Sequence, residues 1–144
     1  RDRARNLLEE KAPQGATIAF ASTPWFYSPP LSPYFGAPSP ATRRKAVETT
    51  TRYKLLISEK EWDTSLLDAK PDYIIFSNLE TQHPVTRLKL KEPTAFVENL
   101  KASSDYTLWQ QDSASLSDIV KLQGSLVPED MLYTMPRLTI YKRK

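Results

Sequence analysis

The run Tyr73-Ile74-Ile75-Phe76-Ser77 constrains the fold more than any other part of this chain. It is bounded on its amino side by Lys70-Pro71-Asp72, which breaks any helix entering it. Four apolar or aromatic residues in succession leave no polar face, so the run reads as a central strand covered on both sides. Such a strand needs helices above and below the sheet. The flanking sequence supplies them in alternation.

Arg3 to Lys11 has Ala4, Leu7 and Leu8 at helical spacing and is stopped by Pro13 and Gly15. Ala16 to Ala21 then begins a strand. Ser39-Pro40 has the form of an N-cap followed by proline at the first helical position, predicting a short helix through Ala41 to Glu48. A second strand spans Arg52 to Ser58. Ser58-Glu59-Lys60-Glu61 has capping-box spacing and predicts a helix carrying Trp62, Leu66 and Leu67. Residues 78–92 fit neither period cleanly, and helix resumes from Pro93 to Ser103. Asp105 to Gln111 alternates as a strand, Ser113 to Gln123 has a helix-start pattern, 124–136 is irregular, and Arg137 to Tyr141 is a terminal strand. This order predicts an α/β fold: an open, largely parallel sheet of about five strands with helices packed on it. The last two strands are candidates for an antiparallel edge pair. At 144 residues the chain makes a single domain, 1–144, long enough for one real core.

The stretch Thr23–Pro40 breaks the pattern. It holds six of the twelve prolines and five of the fifteen aromatics, so it is neither a regular element nor the aromatic-poor composition of disorder. It leaves the carboxyl end of the first strand, the end at which open α/β sheets form their ligand crevices. Trp25, Phe26, Tyr27, Tyr34 and Phe35 are therefore candidate contact residues. Three readings are open for them: a structural flap over the core, stacking on a sugar ring, or docking on a protein or membrane surface. The segment is too aromatic for a simple proline-rich recognition ligand.

Composition removes several chemistries. Gly15, Gly36 and Gly124 are the three glycines, too far apart for a dinucleotide fingerprint or a phosphate loop. His83 is the single histidine, in a loop-like Gln82-His83-Pro84 stretch, so a metal site with two histidines is excluded, and no G-x-S-x-G surrounds any serine. With no cysteine there is no disulfide or thiolate. Carboxylates are plentiful, most of them suited to caps and solvated faces. Asp72 abuts the buried strand and suits a turn after Pro71 better than acid–base work. No catalytic residue, metal site or cofactor is expected. The net charge of +3 sits partly in terminal Arg and Lys residues, too thin a basic stripe for nucleic acid. No run of about 18 apolar residues exists to span a bilayer. The sequence opens on Arg-Asp-Arg-Ala-Arg without Met or a signal-peptide pattern, which suggests a segment of something longer.

Several short motifs together resemble a known family. They are Pro13-to-Phe20 (helix end, then strand), the proline–aromatic loop, Tyr53, Pro71-Asp72-Tyr73-Ile74-Ile75-Phe76-Ser77, Phe96-Val97-Glu98-Asn99-Leu100, Tyr106-Thr107-Leu108, and Pro128-Glu129-Asp130 through Tyr133 to Pro136 and Arg143. The chain resembles the soluble C-terminal domain of multi-pass membrane glycosyltransferases, protein O-mannosyltransferase-like and aminoarabinose-transferase-like, which use polyprenyl-phosphate sugars. The resemblance implies an extracytoplasmic accessory domain, tethered by transmembrane helices absent from this chain. Its implied partners are the transmembrane part of the same polypeptide, a glycan or protein acceptor, and the nearby membrane surface. The catalytic carboxylates of that family lie in its membrane part, so none is placed on this sequence. The proline loop and the 124–136 segment, with Tyr133, would form the contact face. A free-standing carbohydrate- or peptide-binding module is the alternative, and a small α/β hydrolase or transferase with clustered carboxylates is a third class.

Overall fold

The alternation of the sequence is realised in a computed structural model, which describes residues 1–49, 51–111 and 136–144. Tyr133, the helix expected over 113–123, nearly all of the 124–136 segment and the side chain of His83 lie outside the described residues.

Helix α1 (Asp2–Lys11) buries Ala4 and Leu8 and ends where the Ala12 N–H bonds back to the Leu8 carbonyl. Gly15 takes φ 82°, a conformation open to glycine without a Cβ penalty, and turns the chain into strand β1 (Thr17–Phe20). Helix α2 (Pro40–Arg44) starts at Ser39-Pro40 as expected and tightens into a 3-10 turn, Lys45–Glu48, before strand β2 (Lys54–Ile57). Next come the short α3 (Ser65–Asp68) and strand β3 (Tyr73–Ser77), buried at every position. Residues 78–92 prove helical for most of their length. They hold α4 (Asn78–Thr81), a π-helical turn Gln82–Arg87, and the start of α5 (Lys91–Ala102). Strands β4 (Tyr106–Gln111) and β5 (Leu138–Arg143) complete the set.

The five strands form one sheet in the order β2-β1-β3-β5-β4. The first three are parallel, with Ile18 beside Leu55 on one side and Tyr73 on the other. β5 runs antiparallel to both β3 and β4, so the last two strands form an antiparallel pair at one edge. Along β3 the side chains alternate between two cores. Tyr73 and Ile75 join Leu8, Ile18, Phe20, Leu55 and Ile140 on the α1 face. Ile74 and Phe76 join Trp62, Leu66, Phe96, Leu100 and Tyr141 on the α5 face. The double cover inferred from the apolar run is thus supplied by α1 on one side and α5 on the other.

Asp72 is a structural clasp. Its Oδ2 accepts the Thr17 N–H at 2.8 Å and its Oδ1 pairs with Arg143 at 2.7 Å, joining the start of β1 to the end of β5. That corner lies at the amino ends of the parallel strands, opposite the end where a crevice forms. Among the described residues, no helix is long and apolar enough to cross a membrane.

Candidate functional site

From β1 the chain crosses to β2 on one side, and from β2 it returns past β1 to β3 on the other. The connections therefore diverge between the carboxyl ends of β1 and β3, which opens a crevice there. Ser22 leaves β1 and Ser77 ends β3 at this place.

Ser77 caps α4 with a reciprocal capping box. The Glu80 N–H donates to Ser77 Oγ at 3.3 Å, while Glu80 Oε2 accepts the Ser77 N–H at 2.6 Å. Glu80 Oε1 accepts a hydrogen bond from the Ser22 hydroxyl, which ties the two strand ends together. A second anchor fixes α4 from behind: the Asn78 N–H donates to the Arg137 carbonyl at 2.9 Å, and the Arg137 N–H to Asn78 Oδ1 at 2.8 Å. Burial pushes the Glu80 carboxyl above its ordinary value, and the charge of Glu61 adds to this; the bonds from Ser22 and Ser77 oppose it.

The proline loop borders the crevice through Tyr27. Trp25 and Ser28 form a tight turn, the Ser28 N–H donating to the Trp25 carbonyl at 2.8 Å and the Trp25 N–H to Ser28 Oγ at 3.1 Å. This turn presents Trp25, Phe26 and Tyr27 as one edge-packed group, with neighbouring rings 5.1 and 5.2 Å apart. The Arg43 guanidinium lies 4.5 Å from the Trp25 ring centroid and donates to the carbonyls of Ala37 and Pro38. Arg43 is itself buried, so α2 supports the aromatic group from beneath. Arg44 Nε donates to Thr23 Oγ1 at 3.0 Å, and Arg1 reaches the Phe26 carbonyl at 3.0 Å. Burial pushes the Tyr27 phenol above its ordinary value, as does the charge of Glu80.

Beside Tyr27 is an open cavity of about 270 Å³. Ser22, Tyr27, Glu61 and Glu80 give it a polar wall, and Trp62, Pro84, Leu90 and Pro93 an apolar one. Trp62 holds φ 60°, the left-handed region, with its N–H bonded to the Ala21 carbonyl at 2.7 Å. A bulky aromatic in that conformation stores on the order of 1–3 kcal/mol of strain. Among the described residues, no group of three or more His, Asp or Glu side chains is placed to hold a metal ion.

Comparison with known proteins finds no matching family model, no matching curated protein and no matching solved structure. The site is therefore read from its own chemistry.

The five described aromatics of the loop separate into two groups. Trp25, Phe26 and Tyr27 gather at the crevice, Trp25 remaining 38 % exposed. Phe35 is 3 % exposed and packs edge-on against Phe20 at 5.3 Å, with Tyr34 against the same core. Ser22, Arg43 and Glu80 were not singled out by the sequence. The signal for Glu80 was present as Ser77-Asn78-Leu79-Glu80, a second capping-box spacing placed directly at the end of the central strand.

The Glu80 environment has a consequence for stability. A carboxyl whose folded pKa lies above its unfolded one holds its proton more tightly when folded. Its contribution is most favourable below its ordinary value of 4.5 and is lost as pH rises through the raised folded value. Glu80→Gln removes this titration. Between pH 4.5 and pH 7 the parent chain should therefore lose stability relative to Glu80→Gln, measured by urea unfolding at both pH values. A difference that stays constant with pH would contradict the assignment.

Proposed function

We propose that this chain is an extracytoplasmic accessory domain of a lipid-linked-sugar-dependent membrane glycosyltransferase. Its contact surface is the carboxyl end of the sheet, where it meets the acceptor or the membrane-embedded catalytic part of the same polypeptide. The observation that carries this reading is the Trp25-Phe26-Tyr27 group, held on Arg43 and left partly exposed over the crevice. Aromatic rings fixed in this way offer stacking faces to a sugar and amphipathic edges to a membrane interface. Arg1 and Arg44 stand beside the group through their bonds to the Phe26 carbonyl and Thr23 Oγ1, and such charges suit anionic headgroups. The enzyme class rests on the resemblance carried by the short motifs from Pro13 to Arg143.

The reading frame upstream of Arg1 tests the proposal most cheaply. Several transmembrane helices are expected there, and their absence would end this reading. In the full-length protein, Trp25→Ala with Tyr27→Ala should lower sugar transfer from a polyprenyl-phosphate donor about tenfold or more, the scale of losing central aromatic contacts. The cavity favours a second reading, a free-standing glycan- or peptide-binding module. Ligand binding by the isolated chain, lost in the same double variant, together with an upstream frame lacking membrane helices, would select that module.

A further inference from the structure

We infer that the exposed segment 87–91 docks on an anionic lipid bilayer, Leu88 and Leu90 entering the headgroup–acyl boundary while Lys89 and Lys91 meet lipid phosphates. The inference goes beyond the proposed function, because it asks only for a bilayer beside the domain and not for a transferase.

The run Arg87-Leu88-Lys89-Leu90-Lys91 alternates basic and apolar side chains, and every residue in it is exposed. Leu88, at 54 %, is the most exposed large apolar residue among the described ones, and exposed Leu90 follows two positions later. A single exposed leucine is ordinary surface. Two of them set between cations have the composition of an interfacial anchor, which binds through apolar burial and attraction to anionic lipid together. The segment is fastened at its base. Val85 packs against the α5-side core, and the Leu90 N–H donates to the Pro84 carbonyl at 2.8 Å.

Local folding does not account for these residue choices. Leu90 takes the N-cap position of α5 and makes no side-chain cap bond, where Ser, Thr, Asp or Asn would serve the helix better. Lys91 follows in the first turn, at the positive end of the helix dipole, which disfavours a cation. Both residues weaken the start of α5, and both suit a surface that sets phosphate charge above hydrocarbon.

The neighbourhood complements the same occupant. Leu90 and Tyr27 line one cavity, so the segment stands beside the turn that carries partly exposed Trp25 and is bonded by Arg1 through the Phe26 carbonyl. Trp and Tyr rings flanked by cations are suited to a membrane–water interface. Of the nearby carboxylates, Glu92 adjoins the segment and Glu61 lines the cavity, while Glu80 is bonded to Ser22 and Ser77. An acidic polymer would satisfy the lysines alone. An anionic bilayer satisfies the lysines and the leucines together.

The test is sedimentation of the 144-residue chain with vesicles of phosphatidylcholine, alone or mixed with phosphatidylglycerol. The mixed vesicles should bind it at least about tenfold more tightly, since each basic residue near an anionic surface is worth about fivefold. Leu88→Ser should weaken that binding about fivefold, the worth of half a leucine side chain removed from water. Lys91→Glu should weaken it at least about tenfold while raising the urea midpoint, because the new charge suits the start of α5. The chain has no cysteine, so Leu88→Cys accepts a single environment-sensitive dye. Its emission should shift to the blue on the mixed vesicles, and the same dye on Lys70→Cys, beside the Asp72 clasp, should not shift. No preference for the mixed vesicles, or equal dye shifts at positions 88 and 70, would overturn the proposal. Binding indifferent to Leu88→Ser would also overturn it, marking the lysines as a surface for an acidic polymer. None of these results bears on whether membrane helices lie upstream.

Discussion

Phe35→Ala should lower the unfolding free energy by about 3–5 kcal/mol, as large-to-small changes of buried aromatic residues do. Phe35 sits in the α1-side core, edge-on to Phe20, in a 3-10 turn whose first N–H groups are capped by Ser32. Truncation removes the ring that fastens the middle of the proline loop to the sheet. Trp25→Ala, ten residues earlier in the same loop, should cost no more than about 1 kcal/mol, the scale of its cation–π contact with Arg43. Urea unfolding of the two variants measures both. Equal losses would mean that the loop packs as one body and that the exposed aromatic group is part of the core. The contrast separates the flap-like half of the loop from the half that is free to meet a partner.

Trp62→Ala should cost a similar 3–5 kcal/mol on the other face of the sheet. Its ring packs edge-on to Phe96 at 5.7 Å and to Phe76 at 6.1 Å, and it also walls the cavity. The more telling comparison is with Trp62→Gly. Glycine is ordinarily the worse replacement, but φ 60° at this position reverses the order. Alanine keeps the left-handed penalty of about 1–2 kcal/mol that glycine escapes. Trp62→Gly should therefore be the more stable of the two variants by about 1 kcal/mol. The opposite order would show that the backbone relaxes out of the left-handed region once the indole is gone.

Trp62 also explains where the sequence was misleading. Ser58 and Glu61 have the spacing of a capping box, yet the helix begins only at Ser65, where Asp63 accepts the Ser65 N–H at 3.0 Å. The intervening residues make a turn that drops the Trp62 indole into the core and gives the Trp62 backbone N–H to the Ala21 carbonyl. Burial of one large ring and one strand-end bond outweigh a local cap. The capping box that does form, Ser77 with Glu80, was hidden because Ser77 also ends an apolar strand. Strand β3 and the parallel arrangement were legible because an unbroken apolar run and a helix–strand alternation admit few solutions. The crevice was legible as a location, since the proline loop follows β1. Its chemistry was not. The Ser22–Glu80 contact joins residues 58 positions apart, and no local spacing encodes it. Nor does composition separate Phe35 from Phe26; only the tertiary packing assigns one to the core and the other to the crevice.

On the proposed function, the aromatic group at the carboxyl end of the sheet is the surface through which this domain engages the rest of a membrane glycosyltransferase. Site-specific photo-crosslinking in membranes carrying the encoded full-length polypeptide tests it directly. A benzophenone side chain replacing Trp25 is compared with one replacing Lys70, beside the Asp72 clasp at the opposite end of the sheet. Crosslinks are expected from position 25 to the membrane-embedded part or to the acceptor, and none from position 70. Equal crosslinking from both positions, or crosslinks from position 70 alone, would contradict it.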